Sequence, residues 1–274
     1  MNILRRKLLP IVAIILTWFV WHDPILMSTL AAEQIPVRHV EGVTFGFLVL
    51  RDLKGRDLAY GDLKQVVKPD DRDFVVGDLR FRFRDGSSYQ EITKFRQHGR
   101  FELVSDQVEQ KGPAFKQQNE SWIDAKTGMV RVRTMEKGKW KTTNRHLDIP
   151  DDAANGLLFV LLKNVDPSVE TTVSFIAALA KPRVVKWNIF PGPERTVELG
   201  HLEYKAQHYI VKTKIEGITG KIAPLIGKQP PDIHVWLVKS EAPTFLEFEG
   251  PLYEEGPVWR IQITGPDLPK THVE

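Results

Sequence analysis

From Val43 onward, polarity along most of the chain changes with a period of two. Leu79-Arg80-Phe81-Arg82-Phe83-Arg84 alternates strictly, and Asp85-Gly86 follows as a hairpin turn. Val43 to Leu50 is rich in β-branched and aromatic residues, as strands require. Further strands are predicted over 88–97, 101–110, 121–123, 129–135 and 140–147. The turn sequences His98-Gly99, Asp124 to Gly128 and Lys137-Gly138 separate them.

Pro150-Asp151-Asp152 interrupts the pattern. Either aspartate can cap a helix by accepting hydrogen bonds from its free N–H groups, and Leu157 to Leu162 then runs apolar without a break. A helix over about 152–163 is expected, covered on most sides and plugging one opening of the sheet. Strands resume over 170–178, 183–190, 195–199, 203–216, 233–239, 244–249 and 258–264. Residues 218–227 are apolar but punctuated by Gly and Pro, which predicts a short helical turn or a flap. The expected fold is mainly β. A long antiparallel meander forms a strongly curved sheet or half-barrel, with one plugging helix, in a single domain over 33–274.

Residues 1–32 follow a different logic. Arg5-Arg6-Lys7 precede fourteen uncharged residues, Leu8 to Trp21, and the segment ends on Thr29-Leu30-Ala31-Ala32. Basic, apolar and small-residue regions in that order are the pattern of a secretory signal, so export and cleavage near Ala31 or Ala32 are expected. An uncleaved anchor is the alternative: Leu8 to Ala31 reaches spanning length only by including His22 and Asp23. Removing the segment leaves a net charge of +1, so bulk charge argues for no nucleic-acid partner. Export combined with zero Cys suggests a periplasmic or envelope-associated protein that folds without disulfides. The missing thiols also exclude thiolate metal sites, iron–sulfur clusters and a cysteine nucleophile.

No common catalytic signature is present. There is no Gly-x-Ser-x-Gly elbow, no Ser-x-x-Lys and no His-Glu-x-x-His, and Gly217 to Lys221 lacks the spacing of a phosphate loop. No cofactor and no metal are expected. His201 and His208 fall on opposite faces of a regular strand, whereas His234 and Trp236 share one. Asp70 to Asp73 reads as a solvated turn. Arg80, Arg82 and Arg84 all point one way, as do Arg131 and Arg133. On a common face they would offer guanidinium forks to an anionic head group. The plainer reading is a solvated outer face balanced by Glu91, Glu102 and Asp106. Aromatic and apolar residues, among them Phe45, Phe47, Trp122, Trp140, Trp187 and Trp236, with Ile222 and Leu225 from the flap, could line a ligand site or simply fill a core.

Asn155-Gly156-Leu157-Leu158, Gly227 to Trp236 and Glu249 to Tyr253 with Gly256 to Arg260 resemble an uncharacterised family of exported, mostly β bacterial proteins. That resemblance covers nearly the whole mature chain and implies no activity. In strand–turn outline the chain is similar to lipoprotein-carrier half-barrels, a likeness of fold rather than of function. The leading expectation is therefore a non-enzymatic envelope protein that binds an apolar or amphipathic ligand such as an envelope lipid, with peripheral membrane contact. A structural or partner-binding protein with a packed core is the alternative, and an unrecognised hydrolase the third reading.

Overall fold

The computed structural model describes residues 34–199, 202–214 and 230–264, all of which fall in one compact unit. The predicted signal segment 1–32 and the predicted flap 218–227 lie outside the described residues. The strands are Thr44–Arg51 (β1), Asp57–Lys68 (β2), Asp71–Phe83 (β3), Ser88–His98 (β4), Arg100–Lys111 (β5), Asn119–Asp124 (β6), Met129–Glu136 (β7) and Lys139–His146 (β8). After the helix Leu158–Leu162 (α1) come Thr171–Ala177 (β9), Arg183–Pro191 (β10), Arg195–Leu199 (β11), Leu202–Lys214 (β12), Ile233–Val238 (β13), Thr244–Pro251 (β14) and Val258–Thr264 (β15).

All of the strands belong to one antiparallel sheet that does not close. Its order runs from β8 down to β1, crosses to β15, and continues through β14, β13, β12 and β10 to β9. The first and last described strands therefore pair in the middle, Leu50 opposite Ile261, and the chain's midpoint supplies both edges. β11 continues the line of β10. Pro191 faces Tyr209 and Arg195 faces Ala206, so one extra residue bulges between them.

Curvature follows from side-chain convergence. Phe83 on β3 and Trp259 on β15 are three strand spacings apart, about 14 Å on a flat sheet at ~4.8 Å per strand. Their ring centroids lie 5.4 Å apart. Phe115 and Tyr253 join them from loops, so an aromatic group closes this end of the concavity.

The sequence pattern missed β2. Its inward positions are Ala59, Gly61, Leu63, Gln65 and Val67, an apolar stripe interrupted by a glycine and a glutamine. The reason is a neighbour: the Phe81 ring lies over Gly61, and a Cβ there would overlap that ring and the Arg80 carbonyl. The acidic run also differs from the expected turn. The turn ends at Asp70, and β3 begins at Asp71, which pairs with Arg96.

The helix is present but shorter than the 152–163 expected, because the segment before it satisfies its backbone groups elsewhere. Residues 152–155 lie along the outer edge of β9: Ala154 N–H donates to the Ser174 carbonyl, and Ser174 N–H to that of Asp152. The Asn155 side chain bonds both backbone groups of Ile176. Asp152 caps no helix; its carboxylate accepts from the Ser174 hydroxyl and pairs with Lys186. Gly156 then takes φ +64°, which ends that extended run and starts the turn into α1. Leu157, Leu158, Leu161 and Leu162 are all buried, and Phe159 packs on Phe245 and Phe248 of β14.

The far end of α1 is tied to an N-terminal strap. Buried Glu41 pairs with Lys163 at 2.8 Å and accepts from Gln65, while Gln97 holds the Glu41 backbone on both sides. The Asn164 amide oxygen accepts from the Arg38 and His39 N–H groups, and its NH₂ donates to Val160.

Two glycines separate backbone strain from steric overlap. Gly86 (φ +85°) faces open space, so Gly86→Ala should cost about 1–2 kcal/mol in left-handed strain alone. At Gly156 a Cβ would also overlap the Thr93 side chain, adding about 1–3 kcal/mol of overpacking. Urea melts of both variants should show the larger loss at 156; equal losses would mean that the crossing segment does not press on β4.

Candidate functional site

The most unusual chemistry lies on the inner face of β4 and β5, beneath the crossing segment. Tyr89, Glu91 and Thr93 alternate inward on β4, in phase with Phe95, whose partner across β3 is buried Val75. Asp106 faces Thr93 across the β4–β5 pair, and Glu91 faces Val108 one step along. Glu91 and Asp106 are thus diagonal neighbours on one face. A bulge at Val104, between the Phe95–Leu103 and Lys94–Ser105 pairs, sets this phase and keeps Asp106 pointing inward.

Asp106 is 3% exposed and accepts one hydrogen bond from the Thr93 hydroxyl, at 2.9 Å. Glu91 receives a long bond from the Tyr89 hydroxyl, 3.4 Å, and stays half-buried. Among the described residues no Lys or Arg pairs with either carboxylate. Burial pushes Glu91 up to about 8, and the Asp106 charge adds to the shift. Burial likewise pushes Asp106 up to about 7, against the pull of the Thr93 hydrogen bond. Tyr89 is raised as well, again chiefly by burial. Below neutral pH the site therefore offers carboxylic O–H donors as well as acceptors inside an apolar cup.

Sequence reasoning placed Glu91, Glu102 and Asp106 on the same solvated outer face as the arginines, and only Glu102 stands there, paired with Arg100. The pairing corrects this for Glu91 and Asp106: both carboxylates stand on the inner face, and the arginines find other acids. Arg80 pairs with Asp78, Arg82 with Asp62 at 3.8 Å, and Arg84 with Asp57 at 3.8 Å. Arg133 pairs with Glu120 at 2.6 Å, and Arg131 donates to Asn144. All five do share the outer face. However, β4, β5 and β6 separate the two groups, about 19 Å at ~4.8 Å per strand. Gln90, Glu109 and Glu120 fill the row between Arg80 and Arg133.

The candidate ligand-lining aromatics are divided between the faces. Trp187 stands on the inner face, stacked on Phe175 at 4.0 Å. Trp122 and Trp140 are on the outer face, beneath Arg131 and Arg133 respectively. Phe45 and Phe47 are exposed on that same outer face. Ile222 and Leu225 lie outside the described residues, as does His201.

Trp236 also faces outward and shares its face with His234, as expected. The structure adds His208, directly opposite Trp236 and stacked on it at 4.4 Å, with its Nε2 3.0 Å from His234 Nδ1. Arg195 covers the other face of the indole. Burial first, then the His234 and Arg195 charges, lower the His208 pKa. The rings cover one another in part, and all three stay partly exposed. Among the described residues no three His, Asp or Glu side chains group so as to hold a metal ion, and no helix is long and apolar enough to cross a membrane.

Compared with protein-family models, curated proteins and solved structures, the chain matches none of them.

The interior carboxyls make stability depend on pH. Their folded-state values lie above the ordinary 4.5 and 3.8, so the folded protein holds protons that the unfolded chain has released. Their stabilising contribution is complete at acidic pH and fades as pH rises from about 4 to about 8. Urea midpoints should decline across that window, and Glu91→Gln should flatten the decline. A midpoint that rises between pH 5 and 8, unchanged by the substitution, would show that neither carboxyl is held protonated.

Proposed function

We propose that this chain is an exported, non-enzymatic envelope protein whose half-barrel receives an amphipathic ligand, such as an envelope lipid. The ligand sits between the inner sheet face and the crossing segment 147–170. One observation carries the reading: two uncompensated carboxyls face a concavity whose surrounding wall is apolar. Glu91 is crowded by protein yet keeps part of its surface accessible, as a group facing a small interior space would. The protonated carboxyls and the Tyr89 hydroxyl can hydrogen-bond a polar head, while Phe81, Val108 and the leucines of α1 contact a tail. The N-terminal leader pattern supports the exported part of the same reading.

A second reading has its own support. α1 and Leu157 already fill much of the cup, and a core so occupied suits a structural or partner-binding protein.

Native mass spectrometry with lipid extraction, on protein purified from its own envelope, separates the two. The ligand reading expects an added mass that organic solvent extracts. Its occupancy should fall severalfold in Glu91→Leu, which removes the polar handle but keeps the packing. A single apo mass for both proteins would leave the packed-core reading standing.

A further inference from the structure

The outer face of β1 carries an apolar strip that this sheet does not need for folding. Val43 is 78% exposed, Phe45 57% and Phe47 47%. The two phenyl rings meet edge to face, with centroids 4.9 Å apart. On a face that is otherwise charged, two neighbouring exposed phenylalanines stand out. The register shows what surrounds them. Lys64 lies opposite Phe45 and Asp62 opposite Phe47. One strand further, Asp78 faces Lys64, and Val76 faces Val66; Lys94 then faces Val76.

The acids in this neighbourhood are already engaged, Asp62 with Arg82 and Asp78 with Arg80. Lys64 and Lys94 are exposed and form no ion pair with an acid among the described residues. The strip is thus apolar at its centre, with the uncompensated Lys64 beside it and the uncompensated Lys94 three strand spacings away on the same face, about 14 Å at ~4.8 Å per strand.

We propose that this patch docks the protein peripherally on an anionic bilayer surface, with Phe45 and Phe47 entering the headgroup region and Lys64 and Lys94 lying over acidic lipids. Three arguments favour that occupant. Unpaired lysines on the same face as exposed aromatic side chains match a negative, partly apolar interface. From Phe47 onward β1 is paired on both sides, so that stretch offers no free backbone edge to another chain. Three protruding side chains also fall well short of the roughly 800 Å² per partner that a stable protein interface buries. The proposal is independent of whether the cup holds a ligand.

The absence of cysteine makes the test clean, because one introduced thiol takes one label. Full-length Phe45→Cys carries an environment-sensitive nitrobenzoxadiazole fluorophore; Thr142→Cys, exposed on the same face at the far edge strand, is the control. The vesicles are pure phosphatidylcholine, or phosphatidylcholine with phosphatidylglycerol. Equal urea midpoints for labelled and parent proteins establish that both are folded. The expected result is a blue shift and a severalfold intensity gain at 45 on anionic vesicles, little change on neutral ones, and none at 142. Lys64→Gln with Lys94→Gln should weaken partitioning by about fivefold for each lost charge. No shift at 45, or the same shift at 142, would overturn the proposal. So would an equal response on neutral vesicles, or a shift that grows with protein concentration before any lipid is added, which would indicate a second copy instead.

Discussion

An open antiparallel sheet leaves one apolar face uncovered and two edges unpaired, and residues 147–170 cover that face and one of the edges at once. The strands at the two ends of the sheet, β8 and β9, are consecutive in sequence, so the segment joining them has to cross the concavity. Its first part lies along β9 and satisfies that edge through backbone bonds; its second part places four leucines in the cup. β8 is left as the exposed edge, and its sequence, Lys-Trp-Lys-Thr-Thr-Asn-Arg-His, carries the charge that discourages edge-to-edge association. The short length of α1 follows from this double duty, because residues that hydrogen-bond a strand edge cannot also form helical turns.

Two buried acidic groups in the same concavity are treated in opposite ways. Glu41 is matched with Lys163, Gln65 and Gln97, so its burial is compensated and the strap is locked to the end of the crossing segment. Glu91 and Asp106 receive one hydroxyl each and no cation. Burying a charge without a partner is costly, and the group responds by staying protonated. A chain that compensates one buried acid so fully has the means to compensate the others. Their bare state is what distinguishes a candidate ligand-facing surface from an ordinary structural network. The outer face makes the same contrast: its arginines are paired locally, whereas Lys64 beside the exposed phenylalanines and Lys94 further across the same face are not.

Much of the architecture was legible before the structure. Strand limits at β11 and β15 follow the turn residues closely, and the apolar run at Leu157 to Leu162 marked the covering helix. β2 escaped notice because Gly61 and Gln65 interrupt its inward stripe, and the apolar group that fills the place of a side chain at Gly61, the Phe81 ring, belongs to the neighbouring strand. The aromatics were equally hard to assign. Phe45-Gly46-Phe47-Leu48-Val49-Leu50 is apolar at both parities, so alternation alone does not show which set faces in. Glu91 had a usable signal, since it shares its parity with Tyr89, Thr93 and Phe95, and an acid in phase with a buried stripe marks an inward charge. Asp106 had less, because a bulge at Val104 shifts the phase of β5 at that point.

The sequence by itself determined the β class, the antiparallel connectivity and the covering segment, because these depend on local periodicity and on turn and breaker residues that act over a few positions. Only the tertiary structure decided which face of each strand is inside, that the first and last described strands meet, and that two carboxyls end up together beneath Gly156. Those outcomes depend on registers between strands distant in sequence, and a shift of one residue in any of them sends every side chain of that strand to the opposite face.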